Sequence, residues 1–547
     1  MPTVAQTIVQ AIRAEATSHV FCVPGESYLA VLDALHDAQD DIQLITCRHE
    51  AAAANMAEAY GKLKATSGGG AGVCMVTRGP GATHASIGIH TAFQDSTPLV
   101  MFVGDVGTDM AGREAFQEVD YHRFFAPLAK AVMALDRPER AAETCARAFA
   151  LARSGRPGPV VVTLPEDLLL ADAPPALDAP VRPAEPSPDA ARIADLANLL
   201  TEAERPVLWL GGPGWTAGDV ANVTRFAEDV KIPVVTSWRR KDRFDNGHTN
   251  YAGELGLGAN PKLVERVKNA DLLIALGTRL GEVTSLGYTL PAVPEPEQRL
   301  VHIHPDADTL TNVRHPALAI QSSIRLAAAA FAELGFMVDA KDEAIVREAR
   351  ADYNAWTAPT DVEAGVNMAE VIRTLSDRLP DDTIFTNGAG NFAAWLHRFH
   401  HHRCLGTQLA PTSGAMGYGV PAAIAGALVT GQRTVCVAGD GDFLMSSSEL
   451  ATAVRYGANV LFVVVDNGQL GTIRMHQERD FTGRPSGTQL TNPDFAAYAE
   501  SFGVKGWSVA DTADFSAALD EALVHDGPSL ISCRTDPDEI APGWRIT

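Results

Sequence analysis

Short runs of β-branched and aliphatic residues alternate along the whole chain with alanine-rich segments of helical period. Parallel α/β sheets read this way, because strands covered on both faces are apolar throughout. Runs at 42–46, 73–77, 99–103 and 160–164 predict the strands of a first unit, 1–170. A stretch rich in Pro and Ala, 171–188, reads as a linker. A second unit, 189–335, follows with strands expected at 207–210, 234–236, 272–276 and 300–303. The charged segment 336–362 has few strand signals and predicts a connection with helical content. A third unit, 363–547, has strands expected at 383–386, 434–438, 460–465 and 529–533. The expected fold class is α/β, with three doubly wound parallel-sheet domains.

Composition narrows the function classes. A chain of 547 residues exceeds what one hydrophobic core can organise. An apolar fraction of 46% with 20% charged residues is ordinary for folded protein. The formal charge of -23 argues against nucleic acid as a partner, which needs a basic footprint. It does not by itself point to a cationic substrate. Cys22, Cys47, Cys74, Cys145, Cys404, Cys436 and Cys533 are scattered without a CxxC pair, so inert thiols in a reducing compartment are expected. The N-terminus lacks a basic segment followed by an apolar one, and no run approaches the roughly 18 apolar residues of a membrane span. A cytoplasmic protein without a membrane partner is the expectation.

The pattern richest in chemistry is Val435-Cys436-Val437-Ala438-Gly439-Asp440-Gly441-Asp442, an apolar strand ending in a glycine-flanked acid. Ser446-Ser447-Ser448-Glu449 then has the spacing of a capping box and predicts a helix to about residue 456. The next expected strand ends in Asp466-Asn467-Gly468. Asp440 and Asn467 therefore fall at the carboxyl ends of neighbouring strands, where open α/β sheets bind ligands. Magnesium takes oxygen ligands and keeps positions for phosphate and water. The Asp440 carboxylate, the Asn467 amide oxygen and a nearby backbone carbonyl, that of Gln469, would leave room for a diphosphate. Gly439 and Gly441 let backbone N–H groups approach its oxygens. Either motif alone is an ordinary loop after a strand; the pair at this spacing reads as a metal and diphosphate site.

Gly439-Asp440-Gly441 with Asp466-Asn467 resembles the motif of thiamine diphosphate-dependent enzymes, a Gly-Asp-Gly followed by Asn-Asn, with Asp466 in place of the first Asn. The resemblance covers nearly the whole chain and is to the acetohydroxyacid (acetolactate) synthase-like branch. It implies pyrimidine-binding, middle and diphosphate-binding domains in the order of the three units, with thiamine diphosphate and Mg2+ as cofactors. On its own, Glu50 in Arg48-His49-Glu50 reads as an acid stabilising a helix N-terminus. By resemblance it is catalytic: it bonds the pyrimidine ring nitrogen and promotes the imino tautomer, whose exocyclic nitrogen removes the thiazolium C2 proton, and the thiazolium then acts as electron sink. Gly414-Ala415-Met416-Gly417 matches the segment that bends the cofactor, Met416 supporting the bend and the Gly414 carbonyl accepting from the aminopyrimidine; Met416 could equally be core filling. Asn387-Gly388-Ala389-Gly390-Asn391 looks like a second diphosphate loop, through Gly388, Gly390 and Asn391, without the His usual in these synthases. Asp442 and Pro24 complete the expected cofactor contacts.

Phe116-Gln117-Glu118 resembles the family's Phe-Gln-Glu, which implies that Gln117 points at the reacting centre beside Phe116. Arg78 replaces a small residue of the family and reads either as a bidentate carboxylate clamp or as a surface or intersubunit ion pair. Glu26, after Pro24-Gly25, reads as a proton-transfer group or a solvated loop acid. Thr472 and His476 follow Asn467, and His476 stands where true synthases carry Trp; it reads as acid–base group, pocket wall or structural residue. Gly277-Thr278-Arg279 loosely matches a flavin-binding segment of some relatives, whereas 253–258 lacks their His, so FAD stays open. The function expected is decarboxylation of a 2-oxo acid with carboligation to a second carbonyl compound. The alternatives are a non-oxidative decarboxylase releasing an aldehyde and a flavin-linked oxidase. With Glu50 and Asp440 on different units, the family builds each site between subunits, which implies a homodimer or homotetramer.

Overall fold

The computed structural model describes residues 1–180 and 182–546; Val181 of the expected linker and Thr547, last of the expected third unit, lie outside the described residues. The strands form three six-stranded parallel sheets. The first holds β1 His19–Cys22, β2 Gln43–Thr46, β3 Gly72–Val76, β4 Leu99–Asp105, β5 Ala131–Ala134 and β6 Pro159–Pro165, in the order β2-β1-β3-β4-β6-β5. The second holds β7 Pro206–Leu210, β8 Val234–Ser237, β9 Tyr251–Leu255, β10 Leu272–Leu276, β11 Arg299–His304 and β12 Leu318–Gln321, ordered β12-β11-β10-β7-β8-β9. The third holds β13 Ile384–Asn387, β14 Gln408–Leu409, β15 Thr434–Gly439, β16 Val460–Asp466, β17 Lys505–Val509 and β18 Ser529–Arg534, ordered β14-β13-β15-β16-β18-β17. A small antiparallel hairpin, Glu539–Ala541 with Trp544–Arg545, follows.

Six strands escape the apolar-run reading: β1, β5, β9, β12, β14 and β17. All but β1 lie at sheet edges, where one side lacks a neighbour and the run of β-branched residues is shorter or broken. The expected capping box is also corrected. Ser446 makes no side-chain cap bond, and the segment opens as a 3₁₀ turn, Ser447–Glu449, before the helix Leu450–Tyr456. Glu449 is directed elsewhere: its Oε1 accepts from the backbone N–H groups of Arg48 and His49 at 2.9 and 3.0 Å.

The first and third sheets share a core. The helix Glu50–Thr66 is rich in alanine, so the helix Gly419–Thr430 approaches it closely. Ala53, Ala57 and Tyr60 of the one belong to the same buried cluster as Val420, Ala423 and Ala427 of the other. The helix Glu343–Trp356 lies within the expected connection, and its Ala349 and Tyr353 join the cores of the second sheet. The cysteines are free; six are buried and Cys404 is half-buried, and burial pushes the Cys22 thiol up to about 12. Among the described residues no helix is long and apolar enough to cross a membrane.

Candidate active site

Parallel pairing of β15 with β16 sets Gly439 opposite Val465, so the residues just beyond these strand ends, Asp440 and Asn467, are neighbours. They line a cleft of about 230 Å³ together with Gly390, Asn391, Gly414, Met416, Gly439, Gly441, Asp442, Gln469 and Thr472. Asp440 Oδ1 accepts from Gly441 N at 2.8 Å, and Oδ2 accepts from Gly468 N at 2.8 Å and from Asn492 Nδ2 at 2.7 Å. A carboxylate offers about four lone-pair sites, so one remains. Asn467 Oδ1 accepts once, from Gln469 N at 3.1 Å, and the Gln469 carbonyl accepts once, from Gly471 N at 3.0 Å. Three oxygens with one lone pair each thus edge the cleft, a donor set that suits a hard divalent cation. The Gln469 side chain is held by Pro537 O and Arg474, which leaves the backbone carbonyl as the available ligand. Burial raises the Asp440 carboxyl above its ordinary range, against the three donors that lower it.

Two loops face these oxygens. Asp442 is buried behind them, and burial pushes its carboxyl up to about 7. Its Oδ1 accepts from Ala389 N at 3.1 Å and Gly417 N at 2.9 Å. Gly388 stands against this carboxylate: a Cβ there would fall 2.0 Å from Asp442 Oδ1. Gly388 is therefore part of the wall, while Ala389 and Gly390 line the cleft. Asn391 N donates to Thr472 Oγ1 at 2.9 Å, and that hydroxyl donates to Asn391 Oδ1 at 2.9 Å. A Cβ on Gly441 would lie 2.9 Å from Leu470 Cδ2 and 3.9 Å from Met416 Cε, so Met416 reaches over the glycine turn.

A second group gathers at the carboxyl edge of the first sheet. Glu50 opens its helix with a side chain only 13% exposed, and its Oε2 lies 2.9 Å from Nδ1 of His84, which is 51% exposed. The His49 and His84 rings stack with centroids 4.6 Å apart. The His49, Glu50 and His84 ligand atoms lie within 4.8 Å of one another. Arg78 is buried and pairs with Glu166 at 2.6 Å and with the exposed Glu26 at 3.4 Å, all within one chain. Gly79 and Gln117 both adopt positive φ, +57° and +64°, and pack together; a Cβ on Gly79 would sit 2.7 Å from Gln117 Cβ. Phe116 beside it is 72% exposed, and Pro24 is exposed. None of Glu50, Gln117, Phe116, Arg78, Glu26 or Pro24 lines the cleft of the third sheet. Neither does His476, which is exposed on Gly471–Asp480, a helix with no buried residue.

The two groups fall in different domains of one family. Residues 2–124 match the thiamine pyrophosphate enzyme N-terminal TPP binding domain, 193–331 the central domain and 388–533 the C-terminal TPP binding domain. A probable acetolactate synthase large subunit of Methanocaldococcus jannaschii is 33% identical over 99% of this chain and 94% of its own. The acetolactate synthase isozyme 2 large subunit of Escherichia coli is 31% identical over 99% and 97%. The acetolactate synthase large subunit of Corynebacterium glutamicum is 31% identical over 97% and 86%. The chain belongs to the thiamine pyrophosphate enzymes.

In this thiamine pyrophosphate enzyme the central-domain segments compared with flavin-binding ones are engaged by protein groups. Arg279 donates to Gln94 O at 2.5 Å across to the first domain. Trp238 covers Gly256, on which a Cβ would meet the indole at 2.5 Å. Glu254 is occupied by the Arg239 backbone N–H and by His397 Nδ1 at 3.2 Å. Sequence reasoning missed three residues of the site. Asn492 donates to Asp440 Oδ2 and, at 2.8 Å, to Asp466 Oδ1, so one amide bridges two acids and accommodates Asp466 in place of the family's Asn. Only its Asn492-Pro493-Asp494 turn stands out in sequence. His84 lies in Gly79-Pro80-Gly81-Ala82-Thr83-His84, six residues beyond Arg78, and no motif marks it. Glu449 was assigned to a cap, although its partners are 400 and 401 residues away.

Proposed function

We propose that this protein decarboxylates a 2-oxo acid and joins the resulting acyl unit to a second carbonyl compound, as an acetolactate synthase-like carboligase that uses thiamine diphosphate and Mg2+. The observation that carries the reading is the set of three cleft oxygens, on Asp440, Asn467 and Gln469, each with a lone pair left for a metal. Relatives named as acetolactate synthases, similar over almost their whole length, support the carboligase activity over simple aldehyde release.

When bound, the cofactor supplies the electron sink that lets carbon dioxide leave. The chain's own residues do the rest. Asp440, Asn467 and the Gln469 carbonyl hold the metal, and the Gly439–Asp442 and Gly388–Asn391 segments receive the diphosphate. Met416 would support the cofactor's bend, and the Gly414 carbonyl would accept from its aminopyrimidine. Glu50 holds a proton at the pyrimidine nitrogen, and His84 fixes which carboxylate oxygen faces it. Gln117 and Phe116 meet the reacting carbonyl from the Glu50 side. Glu50 does not line the cleft of its own chain, so we infer that a second copy supplies it, in a homodimer or a dimer of dimers. Arg78 already carries two carboxylates, so its role is to fix the Glu26 loop and not to clamp substrate. We propose catalysis without flavin, since Trp238 packs on Gly256 and the Glu254 carboxylate of the same segment is taken by Arg239 and His397. The buried thiols suit a reducing cytoplasm.

The test is product analysis. Purified protein with thiamine diphosphate and Mg2+ is given pyruvate and a panel of larger 2-oxo acids, alone and in pairs. Acetolactate or its homologues are expected. Acetaldehyde as sole product would overturn the carboligase reading, and a flavin absorbance band in the pure protein would overturn the flavin-free one.

A further inference from the structure

The central domain contributes nothing to the site described above, yet one of its side chains reaches both cofactor loops. Trp238-Arg239-Arg240-Lys241-Asp242-Arg243 follows β8, and all six residues are buried although five are charged. Charged side chains are seldom fully buried unless their partners are specific. Arg239 is 3% exposed and its φ is +60°, a left-handed conformation uncommon for residues with a side chain. Its N–H bonds the Glu254 carboxylate, and its guanidinium lies 4.3 Å from the Trp238 ring centroid. From there Nη2 donates to Gly388 O at 2.8 Å and Nη1 donates to Pro411 O.

These two carbonyls have counterparts on Asp442. Its Oδ1 accepts from Ala389 N and Gly417 N. Gly388 O and Ala389 N belong to one peptide unit, which is therefore gripped at its oxygen by Arg239 and at its nitrogen by Asp442. Pro411 O and Gly417 N bound the other loop, gripped by the same two residues. Gly390 follows the first grip directly, Gly414 and Met416 lie between the gripped ends of the second loop, and all three line the cleft. Gly390, Gly414 and Gly417 have φ of +150°, +68° and +76°, conformations that glycine permits but does not hold by itself. An apolar side chain at 239 would give packing without desolvating a cation, whose Nε has no partner, so stability alone does not explain the arginine.

We propose that Arg239 and Asp442 form a clamp between the central and C-terminal domains that sets the spacing of the two cofactor loops, which makes Arg239 a positioning residue for cofactor binding from outside the cleft. The inference rests on the thiamine diphosphate reading of that cleft. It is tested with Arg239→Met, which keeps the stem without donors, Arg239→Lys, which keeps the charge with one reach, and Arg243→Met. Arg243 is an equally buried cation paired with Asp242 and touches neither loop. Trp395 lines the cleft, so its fluorescence follows titration with thiamine diphosphate and Mg2+.

Losing charge-assisted hydrogen bonds predicts affinity about 30-fold weaker in Arg239→Met and about tenfold weaker in Arg239→Lys. Turnover at saturating cofactor falls by less than about threefold, while Arg243→Met melts lower and binds within about threefold of wild type. In the cofactor-free protein, amide hydrogen exchange at 388–391 and 411–417 is faster in both Arg239 variants and unchanged in Arg243→Met. Should Arg239→Met fail to fold, Arg239→Lys carries both readouts. Wild-type affinity and exchange in Arg239→Lys, or equal loss in Arg243→Met, overturns the clamp. If the wild type itself binds no thiamine diphosphate, the functional reading falls, and the exchange comparison still decides whether Arg239 holds the loops.

Discussion

Replacing Asp440 by Asn tests the proposed metal site with a change of one atom. In the free protein the carboxylate satisfies three donors: Gly441 N on one oxygen, Gly468 N and Asn492 Nδ2 on the other. An asparagine has one acceptor oxygen, so in either orientation its NH2 faces at least one of these donors and leaves it unpaired, at a cost of about 1–3 kcal/mol. Removing a charge that burial already disfavours beside Asp466 offsets part of this. The free protein should therefore lose only about 1 kcal/mol. The loaded protein should lose much more, because the metal loses its charged ligand and keeps two neutral oxygens. With affinity weakened about 100-fold, cofactor and Mg2+ at 100 times the wild-type Kd, which stabilise wild type by about 2.7 kcal/mol, stabilise the variant by only about 0.4 kcal/mol. Thermal unfolding with and without thiamine diphosphate and Mg2+ measures both numbers, and comparing shifts within each protein does not require two-state unfolding. A variant stabilised by the cofactor as strongly as wild type would remove Asp440 from the metal site.

Lys62→Met probes the junction of the first and third domains. Lys62 pairs with Glu58 at 3.0 Å and Asp95 at 2.8 Å, both carboxylates fully buried, and also donates to Ala410 O at 3.1 Å. Asp95 keeps Arg240 at 3.0 Å, so the loss falls on Glu58 and should cost about 3 kcal/mol in denaturant unfolding, partly recovered by adding Glu58→Gln; no recovery would show that Glu58 is not the cause. His84→Ala removes the group 2.9 Å from Glu50 Oε2, and turnover at saturating cofactor should fall about tenfold with cofactor affinity unchanged. Equal turnover would leave Glu50 without need of its neighbour. His476→Trp should move preference toward a larger second 2-oxo acid in paired-substrate competition, whereas an unchanged product ratio would take this exposed residue out of the pocket.

The interior strands could be read from the chain because burial on both faces forces continuous apolar runs. β15 and the first six residues of β16 are entirely buried, and the pattern found both. The missed strands fail for stated reasons. β14 has two residues, β17 has one buried residue among its five and starts with an exposed lysine, and β9 carries Gly253 and Glu254. β1 is interior, but it opens on His19 and carries a single β-branched residue, Val20.

The same distinction explains the site. Asp440 and Asn467 are separated by one strand–helix–strand unit, so their proximity follows from local connectivity and needs no knowledge of the rest of the fold. Glu50 carries no such local mark; in isolation it is one more acid at a helix start, and only the resemblance raised it above that. What neither periodicity nor motif encodes is a contact between distant segments, and the residues found only in the structure are of this kind: Glu449 with Arg48, Asn492 with two acids, Arg239 with two loops. Arg239 and its neighbours carry the extreme case, a charged run whose burial reverses the ordinary expectation for its composition. Partners from the first and third domains make that burial tolerable: Asp95 for Arg240, the His397 and His400 carbonyls for Lys241, and the Gly388 and Pro411 carbonyls for Arg239. Lys241 and Arg239 are met mainly by backbone carbonyls, which are available only once the loops have their final shape. Their burial and the loop geometry therefore arise together on folding, which is why no single segment of the sequence announces either.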